Sequence, residues 1–558
     1  MMTRPDNTAT SMASNDTEVD AVVVGAGFAG LYMLHRLRSL GFTARVFEAG
    51  AGVGGTWYWN RYPGARCDVT SVEYSYSFSE ELEQAWDWSE LMASQPEIER
   101  YLNHVADRFD LRRDITFETR VTEATFDECA NRWTVRTDRG DVVTAAACIM
   151  ATGCLSAPLK PSIPGMDTFT GVSVQTSLWP REGVDLAGKR VALIGTGSSA
   201  IQATPEIAKV AEHLTVFQRT PAYTWPAMNR PIEDEERERI KGGYSELRER
   251  QRTSRVGISG AFNGALLEPP TQKLLDLSEG ERLAALDQHG FAVTRMFADV
   301  ATDMAANEAA RALYGEMIRR VVQDPETAAA LTPKDYPIGC KRSVIDTDYF
   351  VTFNRPNVSL VNLRQESIVE VTPKGIRTAT TEREFDVIVY ATGFDAMTGA
   401  LLRIDIRGRD DQPLAEKWAA GPRNYLGLMA AGFPNLFTIT GPGSPSVLSN
   451  MPVSIEQHVD WIADCLEHLR NQGLTTIEPS EEAEAAWVDH VNEVAAGTMY
   501  TAPSCNSWYL GANVPGKVRQ FMPYVGGVSA YREKCEEVVQ AGYAGFVLGA
   551  RMAVAVGD

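Results

Sequence analysis

Two short runs in this chain have the residue types and spacing to cradle a pyrophosphate. Gly25-Ala26-Gly27-Phe28-Ala29-Gly30 and Gly195-Thr196-Gly197-Ser198-Ser199-Ala200 both read G-x-G-x-x-G/A. The first glycine of such a run allows a tight turn, the second lets backbone approach the phosphates, and the small third residue lets helix pack on strand. The helix that follows offers free N–H groups and a positive dipole end. What lies beyond each run differs. Glu48 stands 23 positions after Gly25, where a carboxylate can accept hydrogen bonds from both ribose hydroxyls and would repel a 2′-phosphate. That turn suits FAD or NAD. Beyond the second run the chain reads Gln218-Arg219-Thr220, a cation and a hydroxyl in place of the acid, as expected where an adenosine 2′-phosphate is held. Together the turns imply FAD in the first and NADPH in the second, with electrons passing from nicotinamide to flavin as hydride.

Four other stretches carry residues able to do chemistry. Gly52 to Asp68 is dense in glycine, aromatic and charged residues, including Gly55, Thr56, Trp57 and Trp59. It reads as an ordered loop of the kind that lines a cofactor. Its aromatic planes can stack near a flavin, and Asp68 can position an arginine or bind a nicotinamide amide. Tyr336-Pro-Ile-Gly-Cys-Lys341-Arg342 places two adjacent cations after a Pro/Gly segment. One can bind phosphate and the other stabilise an anionic oxygen species, or both can be surface charges; arginine suits the second role because it stays charged when partly buried. Gly441 to Met451 and Asn506 to Lys517 are loops of glycine, proline and small polar residues, either pocket lining or ordinary turns.

These groups must be carried by strands and helices. Asp20–Val24 reads as a buried strand, 31–40 as a helix ended by Gly41, and 44–47 as the next strand. The second unit repeats this, with strand 191–194, helix 201–210 and strand 214–217. Segments 115–117, 132–136 and 142–150 add strands, the last running into Ala151-Thr152-Gly153. The tripeptide returns as Ala391-Thr392-Gly393 after strand 386–390, as in two-dinucleotide flavoproteins where the chain passes between domains. Residues 227–332 are charge-rich with helical spacing and read as solvated helices. The fold class is therefore α/β, with two dinucleotide-binding, Rossmann-like domains and a helical insertion in the NADP domain. The expected division is a disordered tail over 1–19, the FAD domain over 20–152 and 391–558, the NADP domain over 153–226 and 333–390, and the insertion over 227–332.

Composition narrows the class. The chain has 558 residues and a formal net charge of −20, which disfavours nucleic acid and anionic membranes as partners. No apolar run reaches the ~18 residues of a membrane span, and the polar N-terminus lacks a signal-peptide pattern. Eight scattered cysteines without a CxxC or a cysteine–histidine cluster read as reduced thiols of a cytoplasmic protein, with no disulfide frame and no metal site.

With these motifs in place the chain resembles the type I Baeyer–Villiger monooxygenases. The resemblance covers nearly everything after residue 20. It rests on both glycine turns, on Gly55-x-Trp57-x4-Tyr62-Pro63-Gly64-x3-Asp68, and on Phe169-Thr-Gly171-Val-Ser-Val-Gln175-Thr-Ser-Leu-Trp179-Pro180. The family carries histidine where this chain has Gln175, a residue thought to couple cofactor binding to domain movement; glutamine hydrogen-bonds but takes no charge. Cys154, after the first Ala-Thr-Gly, is a second departure. The resemblance implies oxidation of a ketone to an ester or lactone through a flavin C4a-peroxide, with O2 and an aryl, cyclic or steroid-like ketone as partners and a monomer or weak homo-oligomer as the assembly. It implies Arg342 as the catalytic cation oriented by Asp68, and Lys341, Arg219 and Thr220 at the NADPH 2′-phosphate. It places Tyr74 beside the flavin, Trp508 in the loop over NADP, and Ser446, Val447, Leu448 and Met451 in the substrate pocket. A flavin monooxygenase acting on nitrogen or sulfur is the alternative.

Overall fold

A computed structural model describes residues 17–260 and 270–550. The disordered tail expected over 1–19 falls outside the described residues as far as residue 16. Residues 17–19 belong to the first strand, because Thr17–Val19 extend its ladder against Val143–Ala145.

Two sheets carry the two glycine turns. In the first, β1 (Thr17–Val24) lies between β2 (Ala44–Phe47) and a long strand reached through β3 (Ile115–Thr116), β4 (Val121–Asp127) and β5 (Arg132–Thr137). That long strand is β6 (Val142–Met150), and the order is β4-β5-β6-β1-β2-β3. The β6–β1–β2–β3 portion is parallel, and β4–β5–β6 is an antiparallel meander. Ala21, Val22, Val23 and Val24 are all buried, as an apolar run on a central parallel strand must be. Helix α1 (Phe28–Ser39) covers one face of this sheet.

The second sheet comprises β7 (Val172–Gln175), β8 (Arg190–Ile194), β9 (His213–Gln218), β10 (Val358–Asn362) and β11 (Val387–Tyr390). Its order is β10-β9-β8-β11-β7, parallel throughout. Helix α2 (Ser198–Val210) follows the second glycine turn. The chain then returns to the first sheet, where β12 (Asp405–Arg407) joins β4 and β13 (Leu436–Thr438) joins β6. The long helix α3 (Met451–Gln472) packs on α1, with the Tyr32 hydroxyl donating to Asp460 at 2.7 Å.

The repeated Ala-Thr-Gly has a physical basis in this architecture. β6 and β11 each end beside the first glycine of a turn. A Cβ on Gly25 would lie 2.7 Å from the Ala151 carbonyl oxygen, and one on Gly195 would run into the Ala391 carbonyl oxygen. Both glycines have positive φ, +106° and +129°. Each turn is therefore closed only by glycine, because a neighbouring strand end already fills the space.

Between β9 and β10 the chain forms the helices Asp234–Gly242, Tyr244–Thr253, Glu279–His289, Met304–Val321 and Pro325–Leu331. A two-stranded ladder, 224–226 with 344–346, brackets them. Their charge runs are not wholly solvated, contrary to expectation. Arg248 is 4% exposed, pairs with Glu83 at 2.6 Å and donates to the Ser75 hydroxyl and the Tyr76 carbonyl. It anchors the helical segment to the 75–83 segment, a long-range contact that local periodicity does not encode.

Candidate active site

The first glycine turn is lidded by the Gly52–Asp68 loop. Gly54 N–H donates to the Ala26 carbonyl at 3.0 Å, and a Cβ on Gly27 would stand 3.3 Å from Gly55 Cα. Helix α1 begins with no side-chain cap and no acid in its first turn, which leaves its first N–H groups for an anion. Glu48 is 4% exposed and accepts from Ala26 N–H and Gly50 N–H, both at 2.7 Å. Burial pushes its carboxyl up from the ordinary value, and the two N–H bonds oppose that shift. Each oxygen keeps a further lone pair for a ribose hydroxyl. Trp57 donates from Nε1 to the Tyr74 hydroxyl at 3.2 Å, and Phe28 lies edge-on to Tyr74 at 5.2 Å. Trp59 packs instead on Tyr58, 5.0 Å between centroids, and Thr56 is exposed.

The same loop reaches the second turn. Tyr62 OH donates to Gln202 Oε1 at 2.8 Å, Gln202 Nε2 donates to the Arg66 carbonyl at 3.0 Å, and Gly64 (φ +82°) sits against the Gln202 carbonyl. One loop thus fits over α1 and docks on α2. This explains its mixture of glycine for close approach and aromatic residues for burial.

The second turn is more open. A Cβ on Gly197 would meet nothing within 4 Å, and α2 also starts without a cap or an acid. Ala200 is buried, Ser198 is exposed and Ser199 is half-buried. Thr196 Oγ1 donates to the Thr220 carbonyl at 2.7 Å, tying the turn to the end of β9. Lys341 lies over the Tyr336 ring at 4.5 Å. Burial, then the nearby Arg219 and Arg364, lowers its ammonium from the ordinary value. Among the described residues neither Lys341 nor Arg219 makes an ion pair. Two cations gathered without a counter-charge fit an anion such as a 2′-phosphate.

Between the turns stands a clamped arginine. Arg342 Nε donates to Asp68 Oδ2 at 2.8 Å, Nη2 pairs with Oδ1 at 2.7 Å, and Nη1 donates to the Val447 carbonyl at 2.9 Å. Asp68 raises the guanidinium above its ordinary value in spite of burial, so the positive charge is permanent. Three bonds fix its plane, and about a third of each side chain remains exposed, 36% for Arg342 and 30% for Asp68. Ser446 and Val447 are buried, with Leu448 and Met451 half-buried at the start of α3. Trp508 is half-buried and packs on Tyr509 at 4.3 Å. Tyr509, whose phenol burial pushes up while Arg342 opposes it, is a neighbour that sequence reasoning missed. So is Arg295, which lies over the Trp225 ring at 3.1 Å and is lowered to about 9 by burial and by Arg342. Arg295 lies in no motif, and Tyr509, although inside the Asn506–Lys517 loop, has nothing in its local sequence that announces contact with a residue 167 positions earlier. Gln175 donates from Nε2 to the Leu159 carbonyl at 2.9 Å, tethering β7 to the segment after the first Ala-Thr-Gly.

One expectation is overturned. Cys340 and Cys505 form a disulfide, Cα to Cα 5.5 Å, across a separation of 165 residues. The bridge adjoins Lys341-Arg342 and lies three residues before Trp508. Reading all eight cysteines as free thiols failed because only close spacings announce a pair. The other six cysteines are free.

Comparison with known proteins agrees with this site. Residues 22–255 match the pyridine nucleotide-disulphide oxidoreductase family. The chain is 43% identical to an acetone monooxygenase (methyl acetate-forming) of Gordonia sp. (strain TY-5), over 95% of this chain and 99% of that one. It is 41% identical to a phenazine N-monooxygenase of Lysobacter antibioticus, over 96% and 98%. The structure of an oxidized steroid monooxygenase bound to NADP superposes with a TM-score of 0.89 at 52% identity, covering 96% of this chain and all of that one. Two dinucleotide turns of opposite charge preference, an aspartate-clamped arginine between them and relatives matched over almost their whole length lead to one assignment: the chain belongs to the type I Baeyer–Villiger monooxygenases, FAD- and NADPH-dependent enzymes that insert one atom of O2 beside a ketone carbonyl.

Proposed function

We propose that the substrate is an aryl, cyclic or steroid-like ketone, converted to an ester or lactone, and that Arg342 is the charge on which the reaction depends. The observation that carries the reading is the clamp on Arg342, by Asp68 on two nitrogens and by the Val447 carbonyl on a third. Bound FAD, reduced by NADPH, would supply the electrons with which O2 is activated. Glu48, the first-turn glycines, Phe28, Ala29 and the Gly55–Trp59 segment hold it, with Tyr74 packed beside them. The second-turn residues Gly195 to Ala200, with Arg219, Thr220 and Lys341, would hold NADPH, with Trp508 beside it. Arg342 offers a fixed positive charge where negative charge develops on oxygen. A preorganised donor of this kind needs no solvent rearrangement during the step. Ser446, Val447, Leu448 and Met451 are the residues assigned to contact the ketone. The 52% identity to a steroid monooxygenase supports a bulky substrate.

Resemblance to the phenazine N-monooxygenase favours a second reading, oxygenation of a ring nitrogen. One experiment separates the two. The FAD-loaded protein is assayed for NADPH consumption with phenylacetone, cyclohexanone, cyclopentadecanone, progesterone and phenazine, with products identified by mass and H2O2 counted in parallel. A ketone-derived ester or lactone with little H2O2 supports the first reading. An N-oxide with no ester from any ketone overturns it.

The division at residues 153 and 391 into FAD and NADP units is proposed on the same footing, as are a cytoplasmic location and a monomer or weak homo-oligomer. No helix among the described residues is long and apolar enough to cross a membrane. Both bridged cysteines are fully buried, which slows reduction by a thiol pool and lets a disulfide persist in that compartment.

A further inference from the structure

We propose that Cys154 is a positioning residue for the Arg342 clamp, its thiol pinning the loop that presents the Val447 carbonyl. The inference rests on the reading of Arg342 given above. Cys154 follows the first Ala-Thr-Gly and is 7% exposed. Its Sγ lies 3.0 Å from Ser446 Oγ, 3.3 Å from the Thr440 carbonyl and 3.4 Å from Thr440 Oγ1. Its own carbonyl accepts from Met397 N–H at 2.8 Å.

These three partners share an unusual feature. Met397 (φ +67°), Thr440 (φ +57°) and Ser446 (φ +40°) are all non-glycine residues in the left-handed region. Such conformations persist only where the surroundings over-determine them, and they gather at functional sites. Here all three contact one residue, Met397 through its backbone carbonyl and Thr440 and Ser446 through its sulfur. The stretch 440–446 is held at both ends by the same sulfur. Other ties reinforce it: Thr440 N–H donates to His458 Nδ1 at 2.9 Å, and Ser449 Oγ donates to the Ser446 carbonyl at 2.7 Å. Val447, immediately after Ser446, gives Arg342 its third bond.

The consequence concerns the rotation of a plane. Asp68 alone leaves the guanidinium able to swing with the carboxylate. The Val447 carbonyl stops that swing, and Cys154 stops the carbonyl from moving. Burial raises the thiol's pKa, so it remains a neutral hydrogen-bonding group throughout the working range. A hydroxyl can replace it, whereas a methyl group cannot.

The test uses holoenzyme and whichever of the four ketones named above the wild type converts fastest. For Cys154→Ala the expected result is flavin reduction by NADPH within about twofold of wild type, with product formed per NADPH about tenfold lower and the balance appearing as H2O2. Cys154→Ser restores coupling to within about twofold. Should the alanine variant not hold FAD, Cys154→Val, larger by one branch and without an S–H, takes its place. Wild-type coupling in the alanine or valine variant overturns the proposal. So does equal loss in the serine variant, or a parallel fall in flavin reduction, which would mark a general packing role. Arg342→Ala run beside them separates the two claims. Ester from that variant removes the reading of Arg342, whereas no ester from it together with full coupling in Cys154→Ala removes only the role of Cys154.

Discussion

The two glycine turns share a spacing, an alanine carbonyl packed against the first glycine and an uncapped helix start, and differ in what lies over them. The first is closed in: Glu48 is buried, Gly27 faces Gly55 across van der Waals distance, and the Gly52–Asp68 loop lies over it. The second is open: among the described residues nothing stands within 4 Å of a Cβ at Gly197, and the cations Arg219 and Lys341, unpaired there, flank it. The difference suits one dinucleotide that stays and one that comes and goes. A resident FAD needs burial and a slow exit, whereas NADPH must enter, give up hydride and eventually leave. The Gly52–Asp68 loop bridges the two turns, so events at the open turn can reach the closed one through Tyr62, Arg66 and Gln202.

This contrast can be broken at several points. Glu48→Ala removes the acceptor of two buried N–H groups at the closed turn, and the expected outcome is apoprotein: no flavin absorbance after purification and no NADPH oxidation until FAD is added in large excess. At the open turn, Arg219→Ala and Lys341→Ala each remove one charge-assisted bond worth about 1.5–3 kcal/mol. The KM for NADPH is expected to rise roughly 10- to 100-fold while that for NADH hardly moves; equal effects on both cofactors would place the 2′-phosphate elsewhere. Replacing both Cys340 and Cys505 with serine frees the segment before Trp508 and is expected to cost about 2–4 kcal/mol of stability, read as a lower Tm, with FAD still bound. The smallest effect concerns Gln175. Its bond to Leu159 is independent of pH, whereas Gln175→His should add an inflection near the histidine pKa of ~6.5 to the pH profile of the NADPH KM. An unchanged profile would mean that this tether does not bear on cofactor binding.

Much of the site was legible because its chemistry is local. Both turns, Glu48, Arg219 and the loop around Asp68 lie within short windows whose spacing has a mechanical reason, and the family resemblance followed from them. Strand β4 was missed although Val121, Ala124 and Phe126 are buried, because a β-bulge between Val121 and Glu123 breaks the alternation. Nothing in the sequence signals the burial of Arg248, because its partner Glu83 is 165 residues away. The Cys340–Cys505 bridge spans the same distance in sequence. Tyr509, Arg295 and the contacts of Cys154 likewise exist only once both sheets are assembled. Short-range pattern thus located the cofactors, and long-range packing supplied what surrounds and orients Arg342.

The most direct test of the account is a single-turnover experiment on FAD-loaded Arg342→Ala. NADPH should reduce the flavin at close to the wild-type rate, and ester formation after exposure to O2 and ketone should fall on the order of 10²–10³-fold, with H2O2 appearing instead. Ester at the wild-type rate would contradict the central claim, because the charge held by Asp68 and Val447 would then not be the one on which oxygen insertion depends.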